Sequence, residues 1–313
     1  MNSRLLVQFM AVANAGTITG ASRQLNIAQP ALSHAIATLE KDLGIRLFHR
    51  HRRGVELTDA GSILFERARP ILDSLDAARL AVREADPAPS GNVSIAMPGS
   101  VAYVLARPLY EIVRAQYRRI RLDIEDALTG HLPRWLRTGR SDLIVRFDAA
   151  DDTEFRSEPI FREDLYLVGT GIGRESTIRF RELQNYAMFL PDPQHGMGRA
   201  IARYEEELGI TLDRLPLSAA VHPVLSLVEA GAGCAILPWS IIFDKVGKNG
   251  LRARKIVDPD VSRTAYLSQR RSGPYSSAVA AVGEAVLEST RQVHAEKKWH
   301  GEYLATDSRP KRR

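Results

Sequence analysis

Two runs at helical spacing stand three residues apart near the start of the chain, and the second opens on Gln29 and Pro30. The first, Thr17 to Leu25, sets Ile18, Ala21 and Leu25 on one side, and small Gly20, Ala21 and Ser22 let another helix cross closely. Asn26, Ile27 and Ala28 make a tight turn. Pro30 suits a helix start because its missing N–H would be unpaired there anyway. Leu32, Ile36, Leu39 and Leu43 then recur at helical spacing until Gly44. Two short helices locked at a three-residue turn leave few options, and the helix-turn-helix is the arrangement that fits. Upstream, Leu5, Phe9, Val12 and Ala13 fall at i, i+4, i+7 and i+8, which predicts a third, amphipathic helix. Arg4, the apolar run to Val12 and the triplet Ala13 to Ala15 share the outline of an export signal. Gln8 interrupts that short run, and the helix is the preferred reading.

In a helix-turn-helix the start of the second helix enters the major groove, so Gln29, Pro30, Ser33 and His34 are the expected readers, with Arg23 beside them. Gln can pair bidentately with adenine, and Ser and His are adaptable polar partners. Arg46 to Gly54 is rich in cations, and Val55 and Leu57 alternate as in a strand, which predicts a β-hairpin wing. Arg50, Arg52 and Arg53 at its tip suit phosphate contacts. His49 and His51 have no carboxylate or Cys close by in the sequence, so a metal site is discounted. The charge distribution agrees. Of the net +6, residues 1–58 carry +4 and residues 297–313 another +4, leaving −2 for everything between. A basic head on a near-neutral body fits a polyanion-binding unit joined to one with other work.

These residues carry a specific resemblance. Leu6, Phe9, Gly16, Ile18, Ala21, Leu25, the run Ala28 to Ser33, Ile36, Leu39, Glu40, Leu43, Gly44, Leu47, Phe48, Arg50, Leu57, Thr58, Ala60 and Gly61 resemble the LysR-type transcriptional regulators almost without gaps. The resemblance implies a winged helix-turn-helix over residues 1–58 that binds double-stranded DNA as a dimer. Further on, Glu163 to Val168 and the run Val228 to Pro238 resemble that family's effector-binding domain, which implies a two-lobed periplasmic-binding-protein fold. Phe161 to Thr170 and Phe189 to Pro191 are most similar to its nitrogen assimilation control branch.

Thr58 and Asp59 can cap a helix over residues 59–86. Leu64, Ala68, Ile71, Leu75, Ala78, Val82 and Ala85 are spaced 4, 3, 4, 3, 4, 3, the seam of a coiled coil and thus of a homodimer. Pro70 should kink or interrupt it. Residues 86–91 read as a hinge. Beyond it, apolar strands alternate with helical stretches: Val93–Met97, 101–117, Ile120–Asp126, 131–139 and Leu143–Phe147. A second set follows at Leu165–Gly169, Ala187–Leu190, 197–208, Leu217–Val221, 223–231 and Cys234–Leu237. This predicts α/β lobes with mostly parallel strands over residues 91–297, the chain crossing back near 251–269, and a basic, disordered tail at 298–313. The overall class is α+β. By motif position, Ser100, Val101, Ala102, Thr129, Arg146, His195 and Gly196 should line an effector cleft, and a helix N-terminus there would suit a carboxylate or other anion. The resemblance further implies a homotetramer and a small-molecule effector, and the composition suggests a soluble, cytoplasmic protein.

Other function classes fit poorly. The single cysteine, Cys234, excludes a disulfide framework and cysteine-based zinc, and its apolar flanks suggest an inert buried thiol. The glycines at 169, 171 and 173 miss the dinucleotide spacing by one residue, the pair at 231 and 233 precedes a strand instead of following one, and no phosphate loop occurs. An enzyme with a bound cofactor is therefore not expected. Nor is a membrane protein, since uncharged stretches such as Ala230 to Phe243 are too short and contain Gly and Pro.

Overall fold

The computed structural model describes residues 2–51, 54–83, 88–147, 153–191, 196–215, 221–271 and 276–305, without the side chains of residues 50, 69, 70, 73, 74 and 76–83. The protein divides into two compact units, the first mainly residues 1–88 and the second mainly the chain after them.

In the first unit, α1 (Ser3–Ala15) begins where Asn2 Oδ1 accepts the Leu5 amide at 3.0 Å, and it ends at Gly16 in the left-handed region, φ +64°. Helix α2 (Ile18–Leu25) is capped by Thr17, whose Oγ1 accepts from the Gly20 amide at 3.0 Å. After Asn26 the chain turns into α3 (Gln29–Leu43), which stops at Gly44, φ +69°. Strands β1 (Phe48–His51) and β2 (Gly54–Leu57) pair antiparallel as a wing. Leu6, Phe9, Val12, Ala21, Leu32, Ile36 and Leu39 close one core, to which Phe48 adds a ring 5.2 Å from that of Phe9. Each of the larger buried side chains is worth roughly 1.5–3 kcal/mol against exposure.

Helix α4 (Asp59–Arg83) is capped by Thr58, whose Oγ1 accepts from the Gly61 amide at 3.0 Å and donates to the Arg46 carbonyl at 2.8 Å. The expected interruption at Pro70 does not occur. The helix runs through it, as the next helix also does through Pro108. One missing N–H and a crowded carbonyl cost a long helix less than the turns on either side supply. The apolar seam divides: Leu64 and Ala68 pack on the unit's own core, whereas Ile71 and Leu75 are 44% and 39% exposed. The remaining seam residues lie outside the described side chains or the described chain.

The second unit begins with β3 (Gly91–Met97), α5 (Gly99–Gln116), β4 (Ile120–Asp126), α6 (Leu132–Thr138) and β5 (Leu143–Phe147), with β3 parallel to both β4 and β5. Then comes β6 (Phe155–Thr170), 16 residues long, where the sequence suggests a strand only over Leu165–Gly169. Its first ten residues escape notice because they are mostly polar and contain Pro159. The structure accommodates the proline with a bulge, as the register slips between Ala265 and Tyr266 opposite it. The second lobe follows with β7 (Thr177–Arg179), β8 (Ala187–Phe189), α7 (Gly196–Leu208), β9 (Asp213–Leu215), α8 (Val221–Glu229) and β10 (Cys234–Pro238). Val221 therefore starts a helix instead of ending a strand, and residues 216–220 lie outside the described chain. The last elements are β11 (Leu251–Val257), β12 (Ser262–Arg270), α9 (Ser277–Ala295) and β13 (Gly301–Tyr303).

Strand β6 belongs to both lobes. Residues 155–164 pair with β12, and 161–163 also with β13, while 165–170 pair with β10 and β11. All of these pairings are antiparallel, so the sheets are mixed, with parallel pairs confined to the β3–β5 set, the β8–β10 set and β7 with β11. The expectation of mostly parallel strands fails at the crossing strands. The expected disordered tail begins too early as well. Trp299 is fully buried against Phe161, ring centroids 4.4 Å apart, and β13 extends the sheet, so the body continues to residue 305. Residues 306–313 lie outside the described chain. No helix among the described residues is long and apolar enough to cross a membrane.

Candidate nucleic-acid interface and candidate ligand cleft

Helix α3 buries Leu32, Ile36 and Leu39 and turns its first residues outward. Gln29, Pro30 and His34 are exposed and Ser33 is half-buried, so the four expected readers share one N-terminal face. Ala28 at the cap position has no side chain to satisfy the free amides of the first turn. An uncapped, outward helix start is an anion acceptor through those N–H groups and the helix dipole. Arg23, in the last turn of α2, is exposed and makes no ion pair among the described residues. Arg46 shares both properties and is a cation the sequence reading left out of its site. Arg50 lies on β1 with its side chain outside the description, and Arg52 and Arg53 lie outside the described chain. The wing is fixed from below, because Glu40 Oε1 accepts the Leu47 and Phe48 amides at 2.8 and 3.3 Å. Across the wing His51 Nε2 meets Glu56 Oε1 at 3.6 Å, a carboxylate that hairpin pairing brings near. No three His, Cys, Asp or Glu residues converge on a metal site among the described residues.

In the second unit a cavity of about 380 Å³ opens between the lobes, ample for a small molecule. One wall is the start of α5, the end of β4 and the turn after it; the other is the end of β8, the first turns of α7 and α8, and β10. Ser100 and Thr129 line it as expected, and Gly196 stands across from Thr129, 3.9 Å from that hydroxyl measured from where a Cβ would be. His195 lies outside the described chain. Gly196 itself is not among the lining residues, and three further expected residues do not line the cavity either. Val101 is fully buried in the first lobe's core, Ala102 packs against that core, and both their amides donate to the Pro98 carbonyl, at 2.8 and 2.9 Å. Helical geometry turns consecutive residues about 100° apart, so only Ser100 of the three faces the opening. Arg146 is buried beneath the sheet, where its Nε donates to Ser268 Oγ at 3.2 Å and its Nη2 to Ser157 Oγ at 3.3 Å.

The cation that does reach the cleft is Arg263 of β12. Its Nε donates to Glu163 Oε1 at 2.5 Å, its Nη2 reaches Ser100 Oγ at 3.4 Å, and its guanidinium lies 3.6 Å from the Phe147 ring centre. Glu163 has 0% exposure, and its second oxygen accepts from Trp299 Nε1 at 2.7 Å. This network ties β6, β12, α5 and the residues after α9 together at the lobes' junction. Sequence reasoning missed the pair because Glu163 and Arg263 stand 100 residues apart, and the local run that begins at Glu163 does not show its partner. Asp126, Leu128, Met197 and His222 are further lining residues that no motif marked, and Phe189 lines the cavity from a motif not read as part of the site. Elsewhere in the second lobe, Cys234 is buried and burial raises its thiol pKa, as for an inert core thiol.

Comparison with known proteins places this architecture. Residues 3–62 match the family described as bacterial regulatory helix-turn-helix protein, lysR family, and residues 87–291 match the LysR substrate binding domain. The nitrogen assimilation regulatory protein nac of Klebsiella aerogenes is 32% identical over 294 residues, covering 92% of this chain and 94% of its own. That of Escherichia coli (strain K12) is 31% identical over 289 residues, covering 92% and 94%. Among solved structures, a full-length OxyR variant from Pseudomonas aeruginosa is similar at a TM-score of 0.77 and 19% identity, over 96% of this chain and 98% of that one. Full-length CbnR complexed with its target DNA is similar at 0.62 and 23%, over 92% and 100%. The chain belongs to the LysR family of transcriptional regulators, with that family's helix-turn-helix at its N-terminus and its substrate-binding domain after it.

Proposed function

We propose that the protein reads a specific, near-symmetric DNA site through α3 and adjusts its action to a small molecule held between the second unit's lobes. The observation that carries the DNA reading is the uncapped, outward N-terminal face of α3, bearing Gln29, Pro30, Ser33 and His34. Arg23, Arg50, Arg52 and Arg53 hold the phosphates on either side. Residues 1–58 form the DNA-binding domain and 59–86 the dimerisation helix. The exposed Ile71 and Leu75 are the part of its seam left for a partner. Residues 91–305 form the effector domain, and 306–313 are a basic tail. Four copies assemble through the effector domains, and the protein works in the cytoplasm. Ser100, Thr129, His195 and Gly196 contact the effector, and Arg263 takes the place that Arg146 was expected to fill. A ligand there shifts the balance between two arrangements of the assembly only by binding one better than the other.

Sequencing the genomic fragments that the purified protein retains at near-physiological salt tests the DNA reading. Discrete peaks sharing a partly symmetric motif are the expected result. Uniform retention would make the protein an architectural DNA binder, and no retention would remove the DNA role altogether.

A further inference from the structure

We propose that the cleft's effector carries a protonated primary amine, as an α-amino acid does, and that Asp126 selects it. The inference rests on the reading that the cleft takes a small molecule. It begins with a charge balance. The guanidinium of Arg263 is already matched by Glu163, fully buried at 2.5 Å, so the pair brings no net charge to the cavity. Asp126 is different. It lines the cavity at the end of β4, is exposed, and takes part in no ion pair or hydrogen bond through its side chain among the described residues. Among the described lining residues, the one uncompensated formal charge is therefore negative.

Its position adds to this. Asp126 Oδ2 lies 3.7 Å from where a Cβ on Gly99 would stand, beside the first turn of α5. There the amides of Val101 and Ala102 are occupied by Pro98, while those of Gly99 and Ser100 bond to no described acceptor. The Ser100 hydroxyl accepts from Arg263 and keeps its own proton to donate. A carboxylate is drawn to these donors, yet a ligand with nothing else would press its charge against that of Asp126. An ammonium on the same ligand removes that repulsion and forms a charge-assisted hydrogen bond with Asp126. Ammonium and carboxylate are then held on neighbouring groups of one wall, as on the α-carbon of an amino acid. Leu128, 62% exposed, and Phe189 and Met197 of the other lobe offer apolar surface to the rest of the molecule. Asp126 thus works against simple carboxylates as much as for amines.

Titration calorimetry on the full-length protein tests this with the common α-amino acids, the decarboxylated amine and the deaminated acid of each, and a matching set of simple carboxylates. The expected result is an amino acid that binds at least about tenfold tighter than its deaminated acid. Asp126→Asn should weaken the amino acid by a similar factor, strengthen the deaminated acid and leave the unfolding midpoint in place. Carboxylates binding where amines do not would overturn the amine while sparing the cleft. An amino acid indifferent to Asp126→Asn would overturn the residue's role. If neither class bound at millimolar concentration, the inference and the cleft reading would fall together.

Discussion

On the first unit, Arg23 and Arg46 stand in solvent without an ion pair among the described residues, and α3 leaves the amides of its first turn uncapped. In the second unit, Arg263 is 9% exposed, locked to a carboxylate, seated on an aromatic ring and braced through Trp299. One region keeps its electrostatics unspent for a partner, and the other has consumed most of them internally. The first arrangement costs the fold little and gives long-range attraction that salt weakens. The second is insensitive to salt and depends on both partners being present, because a buried charge stripped of its mate has nowhere to go.

The sharpest break of that contrast is Arg263→Met, which strands Glu163 and should destabilise the second unit by about 3–5 kcal/mol in urea unfolding. Adding Glu163→Gln should return much of the loss, and a single variant as stable as the parent would mean the pair is not holding the junction. Next in size, Ser33→Ala with His34→Ala should remove about 1–3 kcal/mol of discrimination between the cognate site and unrelated DNA. Nonspecific binding should hardly change, and the unfolding midpoint should stay put because His34 is exposed. Smaller still, Arg23→Ala should weaken all sequences alike and lower the slope of log affinity against log salt by about one. A change in which sequences bind would instead make Arg23 a base reader.

The smallest effect concerns pH. His300 stacks on Trp239 at 4.1 Å and shares a hydrogen bond of 2.9 Å between its Nδ1 and the Tyr166 hydroxyl. Burial lowers its pKa below the ordinary 6.5, helped by His294, Lys255 and Lys297 and opposed by Asp164. The unfolded chain then takes up the proton first, so stability is constant above 6.5 and falls as pH drops from there through the folded value. His300→Gln should flatten unfolding curves in that window while leaving DNA affinity at neutral pH alone. A curve that kept its slope would place the titrating group elsewhere.

The same contrast explains what the sequence could reveal. The head was legible nearly whole because each of its signals is local. The proline start, the three-residue turn and the glycines that end helices all act within a few residues. The parallel strands β3, β4, β5, β8 and β10 were legible for the same reason, as apolar runs such as Leu143–Phe147, whereas the three-residue β7 and β9 were too short to show. The first half of β6 was hidden because its partners, β12 and β13, lie about 100 or more residues downstream and supply the apolar cover its own sequence lacks. Ser100 and Thr129 were found through motif position. Arg146 was misassigned because position at a strand end does not tell which face a side chain takes, and a one-residue step reverses it. Asp126 closes a strand that was predicted to the residue, yet its importance comes from what α5 places beside it.

The double membership of β6 also sets a timetable. Its ladder needs β12 and then β13, and the Glu163 that it carries needs Arg263 and Trp299, so the second unit cannot close until residues near 300 are synthesised. The first unit's hydrophobic core draws on residues 5–72 among those described. On the ribosome, where chains fold N-terminal units first, a finished head would wait through most of translation beside a body still open. The pairing through α4 proposed above would then be open to nascent copies from one message before either body had formed.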